Sequence, residues 1–394
     1  MSLKWISCTQ TPTTCMPALL KMKLYFPNLF KHIKQKGYNF TYQFEHNYLI
    51  MKRQILVTGG IGYIGSHTTL ELQKNGYEVI IADNLSNSKI EVLDGIEAIS
   101  GIRPVFEKID LSDREETRLL FEKYPKLEAI IHFAANKAVG ESVENPLLYY
   151  RNNLNSLMNI LENMNTHNVC NLVFSSSCTV YGQPDSLPVT ESTPRKEAES
   201  PYGNTKSISE DMMRDTIKAH PMLKGIALRY FNPIGAHPSA KIGELPLGVP
   251  NNLIPFLTQT VAGIRPELNV FGNDYNTPDG SCIRDYINVV DLAKAHVIAI
   301  ERLIEDKQGQ HYEYFNVGTG EGVSVLEIIN AFERATGEKV PHKIVDRRSG
   351  DIEKIYADTT LANKTLGWSS QKTLEETLLS AWKWQLAITH LESN

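Results

Sequence analysis

The sequence predicts an α/β protein: a doubly wound parallel sheet with a smaller α/β region interleaved with it. Three observations predict this. Short apolar runs alternate with helix-patterned stretches from Met51 to about Asn232. The first run opens directly into glycines at 59, 62 and 65. Small and polar residues gather just past the carboxyl ends of the runs, where sheets of this kind hold their ligands.

Ile55-Leu56-Val57 is the β-branched apolar run of a strand buried on both faces. It leads into Gly59-x-x-Gly62-x-x-Gly65, which includes Tyr63 and Ile64. The first glycine permits the tight strand-to-helix turn, the second lets backbone approach a pyrophosphate, and the third lets helix pack on strand. Residues 64–75 read as the helix, its N-terminus facing the phosphates, with Gly76 closing it. A second strand, Glu78 to Ala82, ends at Asp83. A carboxylate there accepts bonds from ribose hydroxyls and repels a 2′-phosphate, which favours NAD over NADP; the bland alternative for Asp83 is a turn or cap residue. This is the Rossmann arrangement.

The alternation continues with a strand from Val105 to Ile109, ending in Asp110-Leu111, and a charged helix over 112–124. A strand from Ala129 to Phe133 leads into Ala134-Ala135-Asn136-Lys137. Small residues there let a cofactor lie against backbone. Lys137 either reaches a phosphate or is a solvated loop lysine. A long helix over 146–164 carries Asn152, and a strand from Asn171 ends in Ser175-Ser176-Ser177. Three hydroxyls at a strand end, taken alone, read first as a turn; they are also placed to bond a substrate hydroxyl or carry a proton. Ser200 and Pro201 then start a helix over 201–218. It places Tyr202 and Lys206 at i and i+4 on one face. An ammonium beside a phenol favours the phenolate, so Lys206 is expected to lower the Tyr202 pKa and make it a general base. The same string, read alone, also fits an ordinary surface pair.

Taken together, the glycine motif, the serine run, Tyr202-x-x-x-Lys206 and Arg229-Tyr230-Phe231-Asn232-Pro233 resemble the extended short-chain dehydrogenase superfamily, and within it the UDP-hexose 4-epimerase branch. The resemblance runs from Met51 to about residue 388. It implies interconversion of UDP-glucose and UDP-galactose by inversion at C4 through a 4-keto sugar, with tightly bound NAD recycled in place. It implies that Tyr202 takes the 4-hydroxyl proton, Lys206 bonds the nicotinamide ribose and Ser177 bonds the 4-oxygen. By the same resemblance, cofactor contacts come from Tyr63, Ile64, Asp83, Asn84, Asp110, Leu111, Phe133, Ala134, Ala135, Lys137, Asn152, Ser175, Tyr202, Lys206 and Phe231. It also implies a homodimer paired through the long helices over 146–164 and 201–218.

The second half, 233–394, is less regular. Residues 236–250 are rich in Gly and Pro and precede a helix starting near Asn251-Asn252-Leu253. Anionic diphosphates call for arginine, and Arg284 and Arg348 stand out; either also fits a surface ion pair. The resemblance assigns both to the diphosphate and Asp351 to the uridine ribose. It assigns Asn232, Asn252, Leu253 and the backbone of Asn269, Val270 and Phe271 to the substrate. Four residues after Asp351, relatives confined to hexoses carry a bulky Tyr and relatives that take N-acetylhexosamines something small. Ile355 stands there, which extends the expectation to UDP-GlcNAc and UDP-GalNAc. Tyr314 to Val317 reads as a strand returning to the main sheet.

Composition narrows the class. The chain has 394 residues and a net charge of -5, which points to neither nucleic acid nor an anionic membrane. The apolar runs are too short for a transmembrane helix. Five cysteines, odd in number and without metal-ligand spacing, read as reduced thiols in the cytoplasm. Residues 1–50 hold six Lys and no Arg, unlike the rest, and are expected to be an extension outside the fold, from a start called upstream of Met51. Two other readings are weaker. A 4,6-dehydratase wants an Asp-Glu pair where Cys178 and Thr179 stand, and a non-catalytic NAD-binding regulator has no need of Tyr202 and Lys206 together.

Overall fold

The computed structural model describes residues 53–348 and 352–392, so the expectations for residues 1–50 and for Asp351 lie outside the described residues. From the start of these residues, strands and helices alternate. They are β1 (Gln54–Thr58), α1 (Tyr63–Lys74), β2 (Glu78–Asp83), α2 (Val92–Ser100), β3 (Val105–Lys108), α3 (Arg114–Lys123), β4 (Leu127–His132), α4 (Val139–Glu144), α5 (Pro146–His167), β5 (Asn171–Ser177), α6 (Pro201–Ala219) and β6 (Lys224–Tyr230).

Among the described residues, seven strands form one parallel sheet in the order β11-β6-β5-β4-β1-β2-β3, where β11 is Tyr312–Val317. The chain builds β1 to β3 outward in one direction, then returns to lay β4, β5 and β6 on the other side of β1. The order therefore reverses between β1 and β4, and the crevice past their carboxyl ends is where such sheets bind ligands. Alternation of side chains divides the core between the faces. Ile55, Val57, Val79 and Ile131 pack with α1 and with α8 (Val289–Ile304) on one face. Leu56, Ile80, Ile130 and Leu172 pack with α3, α5 and α6 on the other. Each such side chain contributes about 1.5–3 kcal/mol by leaving water.

Caps set several boundaries. Asp113 accepts from the Glu115 and Glu116 amides, so the charged helix expected from 112 begins at Arg114. Ser200 accepts from the Gly203 amide at 3.2 Å and starts α6. Helix α2 lies where no helix was expected, between β2 and β3.

The remaining strands are short. With the helices among them, the remaining elements are β7 (Asn232–Ile234), α7 (Leu253–Val261), β8 (Leu268–Phe271), β9 (Ile283–Arg284), β10 (Tyr286–Asn288), β12 (Val323–Ser324), α9 (Val325–Thr336), β13 (His342–Val345), β14 (Lys354–Ile355), α10 (Thr360–Thr365) and α11 (Leu374–Glu392). Small pairings hold them: β7 with β10, β8 with β13, and β9 between β12 and β14. Helices α7, α9 and α11 share a core containing Leu257, Ile328, Phe332 and Trp382. No helix among the described residues is long and apolar enough to cross a membrane.

Candidate active site

The glycine turn after β1 is cut to fit a ligand against backbone. Gly59 has φ of +65°, and a Cβ there would lie 3.0 Å from the Ala134 nitrogen. A Cβ on Gly65 would collide with the Gly59 carbonyl oxygen. Gly62 caps α1 without a side chain, leaving the first-turn amides free of any side-chain cap. Asp83, buried at the end of β2, accepts from the Leu85 amide at 2.9 Å. Burial raises its pKa, and bonds from the amides of Leu85 and Ile61 work against that rise. These residues fit a dinucleotide: a bare backbone cradle at a helix N-terminus, with a carboxylate at the next strand end. Asn84 accepts from the Ser86 amide, and Asp110 accepts from the amide and hydroxyl of Ser112.

The loop after β4 is sewn to this turn. Thr58 Oγ1 lies 2.8 Å from His132 Nδ1 and accepts from the Phe133 and Ala134 amides. Burial holds His132 neutral, pushed down to about 3. The Phe133 ring lies 4.6 Å from that of His296. Asn152 donates to Asn153 Oδ1, and Asn153 is the clamp: it accepts from the Asn136 amide and donates to the Asn136 carbonyl and to Thr205 Oγ1 on α6.

At the end of β5 the structure brings together Ser175, Ser177, Tyr202 and Lys206. The Ser177 hydroxyl stands close enough to the Tyr202 phenol to favour its ionised form. Lys206 Nζ donates to the Ser175 carbonyl at 2.6 Å and lies 5.8 Å from the centre of the Tyr202 ring. Ser175 Oγ in turn bonds the Tyr230 hydroxyl. The expected pKa relation between Lys206 and Tyr202 does not hold in the chain by itself. Burial pushes the Tyr202 phenol up, aided by Tyr230 and Cys178, and the Ser177 hydroxyl only partly offsets this. The same burial pushes Lys206 down to about 7, which weakens the positive charge beside Tyr202 near neutral pH. Burial dominates at Tyr202, and added positive charge is needed before it ionises.

Beneath this cluster is a buried ion pair that the sequence reading missed. Arg229 on β6 donates to Glu210 through Nε (2.9 Å) and Nη2 (2.6 Å), with 5% and 3% of the side chains exposed. Glu210 also accepts from Ser176 Oγ at 2.5 Å, tying α6 to the strand between Ser175 and Ser177. Its signal in the sequence is a Glu four residues after Lys206. A cleft of about 520 Å³ on the far side of this pair, by Arg195, Arg214 and Tyr312, lacks Ser177, Tyr202 and Lys206 from its walls.

The smaller region supplies the other wall. In β9, Arg284 pairs in register with Ile355 of β14 and with Val323 of β12, and donates to the Ile283 carbonyl. Ile355 is buried in a cluster with Cys178, Tyr181 and Phe231, so it stands beside the catalytic turn. Arg348 lies over the Phe271 ring at 5.6 Å. The Val270 side chain is buried, leaving backbone as what that strand can offer a ligand beside Asn269 and Phe271. Asn232 is exposed at the start of β7, and Asn252 caps α7 ahead of Leu253. Asp285, also missed, accepts from the amides of Thr319, Gly320 and Ala357 and stitches β9 to the segments after β11 and β14.

A doubly wound sheet with a glycine turn, an acidic second strand end and a Ser–Tyr–Lys cluster defines the extended short-chain dehydrogenase class. The family model described as GDP-mannose 4,6 dehydratase matches residues 56–380. The UDP-glucose 4-epimerase of Bacillus subtilis is 49% identical over 331 residues, 84% of this chain and 96% of that protein. A crystal structure of UDP-glucose-4-epimerase from Stenotrophomonas maltophila, with bound NAD and formylated UDP-arabinopyranose, is 45% identical. It superposes with a TM-score of 0.83 over 86% of this chain and 99% of that one. A second, from Bifidobacterium longum in complex with NAD+ and UDP, is 44% identical with a TM-score of 0.81, covering 85% and 98%. The chain belongs to the UDP-glucose 4-epimerase family.

Proposed function

We propose that this chain interconverts UDP-glucose and UDP-galactose by inverting C4 of the hexose, with NAD held as a recycled cofactor. The observation that carries the reading is the cluster at the end of β5, where Tyr202 and Ser177 stand beside Lys206, which is anchored on the same strand. NAD supplies, when bound, the site that takes up a hydride from C4 and gives it back. Gly59, Gly62, Gly65, Tyr63 and Ile64 would hold its pyrophosphate, Asp83 its adenosine ribose and Lys206 its other ribose. Tyr202 Oη removes the proton of the 4-hydroxyl, and Ser177 Oγ bonds the 4-oxygen. Because burial pushes Tyr202 up, the phenol acts as a base only with cationic charge beside it, and Lys206 is the chain's own source. Arg284 and Arg348 suit the diphosphate by their forked guanidinium groups. Cys178 and Thr179, in place of an acid–base pair, disfavour elimination of water after oxidation.

In the same reading the buried Ile355, with no hydroxyl of its own, leaves room for an N-acetyl group, so UDP-GalNAc is a second substrate. Absence of UDP-GalNAc turnover would remove that extension. The chain works as a homodimer in the cytoplasm. Leu147 on α5 is 72% exposed, with Leu148 and Met158 also exposed on that helix, and Cys170, Cys178 and Cys282 are free thiols. Sedimentation showing a monomer would refute the dimer.

The test is to denature the purified protein and assay released NAD, then to mix native protein with UDP-galactose and no added cofactor. Released NAD with UDP-glucose formed is the expected result. NAD with no product, or with a 4-keto-6-deoxy sugar, overturns the assignment.

A further inference from the structure

Glu244 lies in the Gly- and Pro-rich stretch between β7 and α7, and nothing in the serine–tyrosine–lysine chemistry uses it. Its side chain is only 11% exposed. The carboxylate Oε1 accepts from Asn252 Nδ2 at 2.6 Å and lies 3.4 Å from Lys137 Nζ. Lys137 stands after β4, on the cofactor side. Asn252 caps α7, on the sugar-nucleotide side. The same lysine lies over the Tyr63 ring at 6.0 Å, and Tyr63 donates to the Gly235 carbonyl at the start of this stretch. Trp384 of α11 donates Nε1 to the Glu244 carbonyl at 2.8 Å, which pins the peptide that carries the carboxylate.

A largely buried carboxylate beside two anionic ligands is unfavourable unless its charge is used. Here its one oxygen reaches a cation from one subsite and an amide from the other. We propose that Glu244 is a positioning residue that sets Lys137 toward the cofactor and Asn252 toward the sugar nucleotide together, so that one carboxylate orders both subsites. This rests on the assignment of those subsites made above. Glu244 does not touch the reacting C4. Its removal should weaken nucleotide binding and leave the chemical step largely intact.

The experiment compares wild type, Glu244→Gln and Glu244→Ala as NAD-loaded proteins, measuring KM and kcat for UDP-galactose, calorimetric affinity for UDP, released NAD and thermal stability. Gln keeps an oxygen acceptor for Asn252 and loses the charge facing Lys137; Ala loses both. The expected result is a KM and a UDP dissociation constant raised about threefold in Glu244→Gln and about tenfold in Glu244→Ala, with kcat within about twofold of wild type. With Lys137→Met as background, Glu244→Gln should have a smaller effect than in wild type. Unchanged KM and UDP affinity in both variants would overturn the proposal, and so would a fall in stability alone. If wild type binds UDP without converting UDP-galactose, the proposed reaction fails, while the UDP affinities of the variants still decide the role of Glu244.

Discussion

In the sheet half of the molecule, the residues of the candidate site stand at the ends of strands four to seven residues long, such as β1, β2, β4 and β5, each held in register by its neighbours, or on the long helices α1, α5 and α6 packed on them. In the smaller region, Arg284, Ile355 and Phe271 sit on strands of two to four residues, and Asn252 and Arg348 lie outside strands altogether. The first arrangement suits chemistry that needs atoms placed to a fraction of an ångström. The second suits grip on a flexible, charged ligand, where several weak contacts add. The two halves also handle charge differently. Arg229 and Glu210 pair in the dark under the serine run, while Arg347 and Asp274 pair in water at the rim of the smaller region.

That contrast can be tested at four places, with effects falling in order. Replacing Tyr202 with Phe removes the proton-accepting oxygen and leaves the ring's packing. Turnover should fall by about 10²–10⁴-fold or more, with released NAD unchanged. Loss of NAD together with activity would place Tyr202 in holding the fold rather than in the reaction.

Next comes Arg229→Met, which takes from the buried Glu210 its two-pronged partner, leaving only Arg195 at 3.7 Å, and removes the donor to the Tyr181 hydroxyl. Stability should drop by about 3–5 kcal/mol, read as a lower denaturant midpoint. A loss under 1 kcal/mol would mean that Glu210 escapes to water and that the two ion pairs are alike.

Acid should act mainly on the sheet half. Burial pushes His67 and His132 down to about 3. The unfolded chain takes up their protons below about pH 6.5 while the folded chain does not, so stability is level above that pH and falls beneath it. Each histidine should cost up to about 2 kcal/mol by pH 5. Asp83 and Asp285, pushed up by burial, act in the opposite sense. His132→Gln isolates the imidazole: it should flatten the fall in urea midpoint between pH 7 and pH 5, and an unchanged slope would show that His132 is not its source. The smallest effect belongs to Asp274→Asn at the rim, expected to leave the melting temperature nearly unchanged because both partners are exposed and screened. A larger loss in a melting experiment would show that this rim is more ordered than its exposure implies.

Much of this was legible from residue order alone. The parallel, doubly wound fold follows from apolar runs such as Ile55-Leu56-Val57 alternating with helical stretches, because a strand buried on both faces and a one-sided helix cannot trade places. The glycine turn was readable because only glycine fits where another backbone approaches so closely. Ser177, Tyr202 and Lys206 were readable as candidates because helical spacing and a strand end say where they point. Tertiary structure decided what periodicity cannot encode. That Glu210 meets Arg229, that Asn153 rather than Asn152 clamps the loop after β4, and that Glu244 joins Lys137 to Asn252 all depend on segments far apart in the chain. The balance at Tyr202 belongs to the same class. Sequence names the lysine that lowers a phenol's pKa, but burial, a property of the packed molecule, sets how much charge that lysine retains.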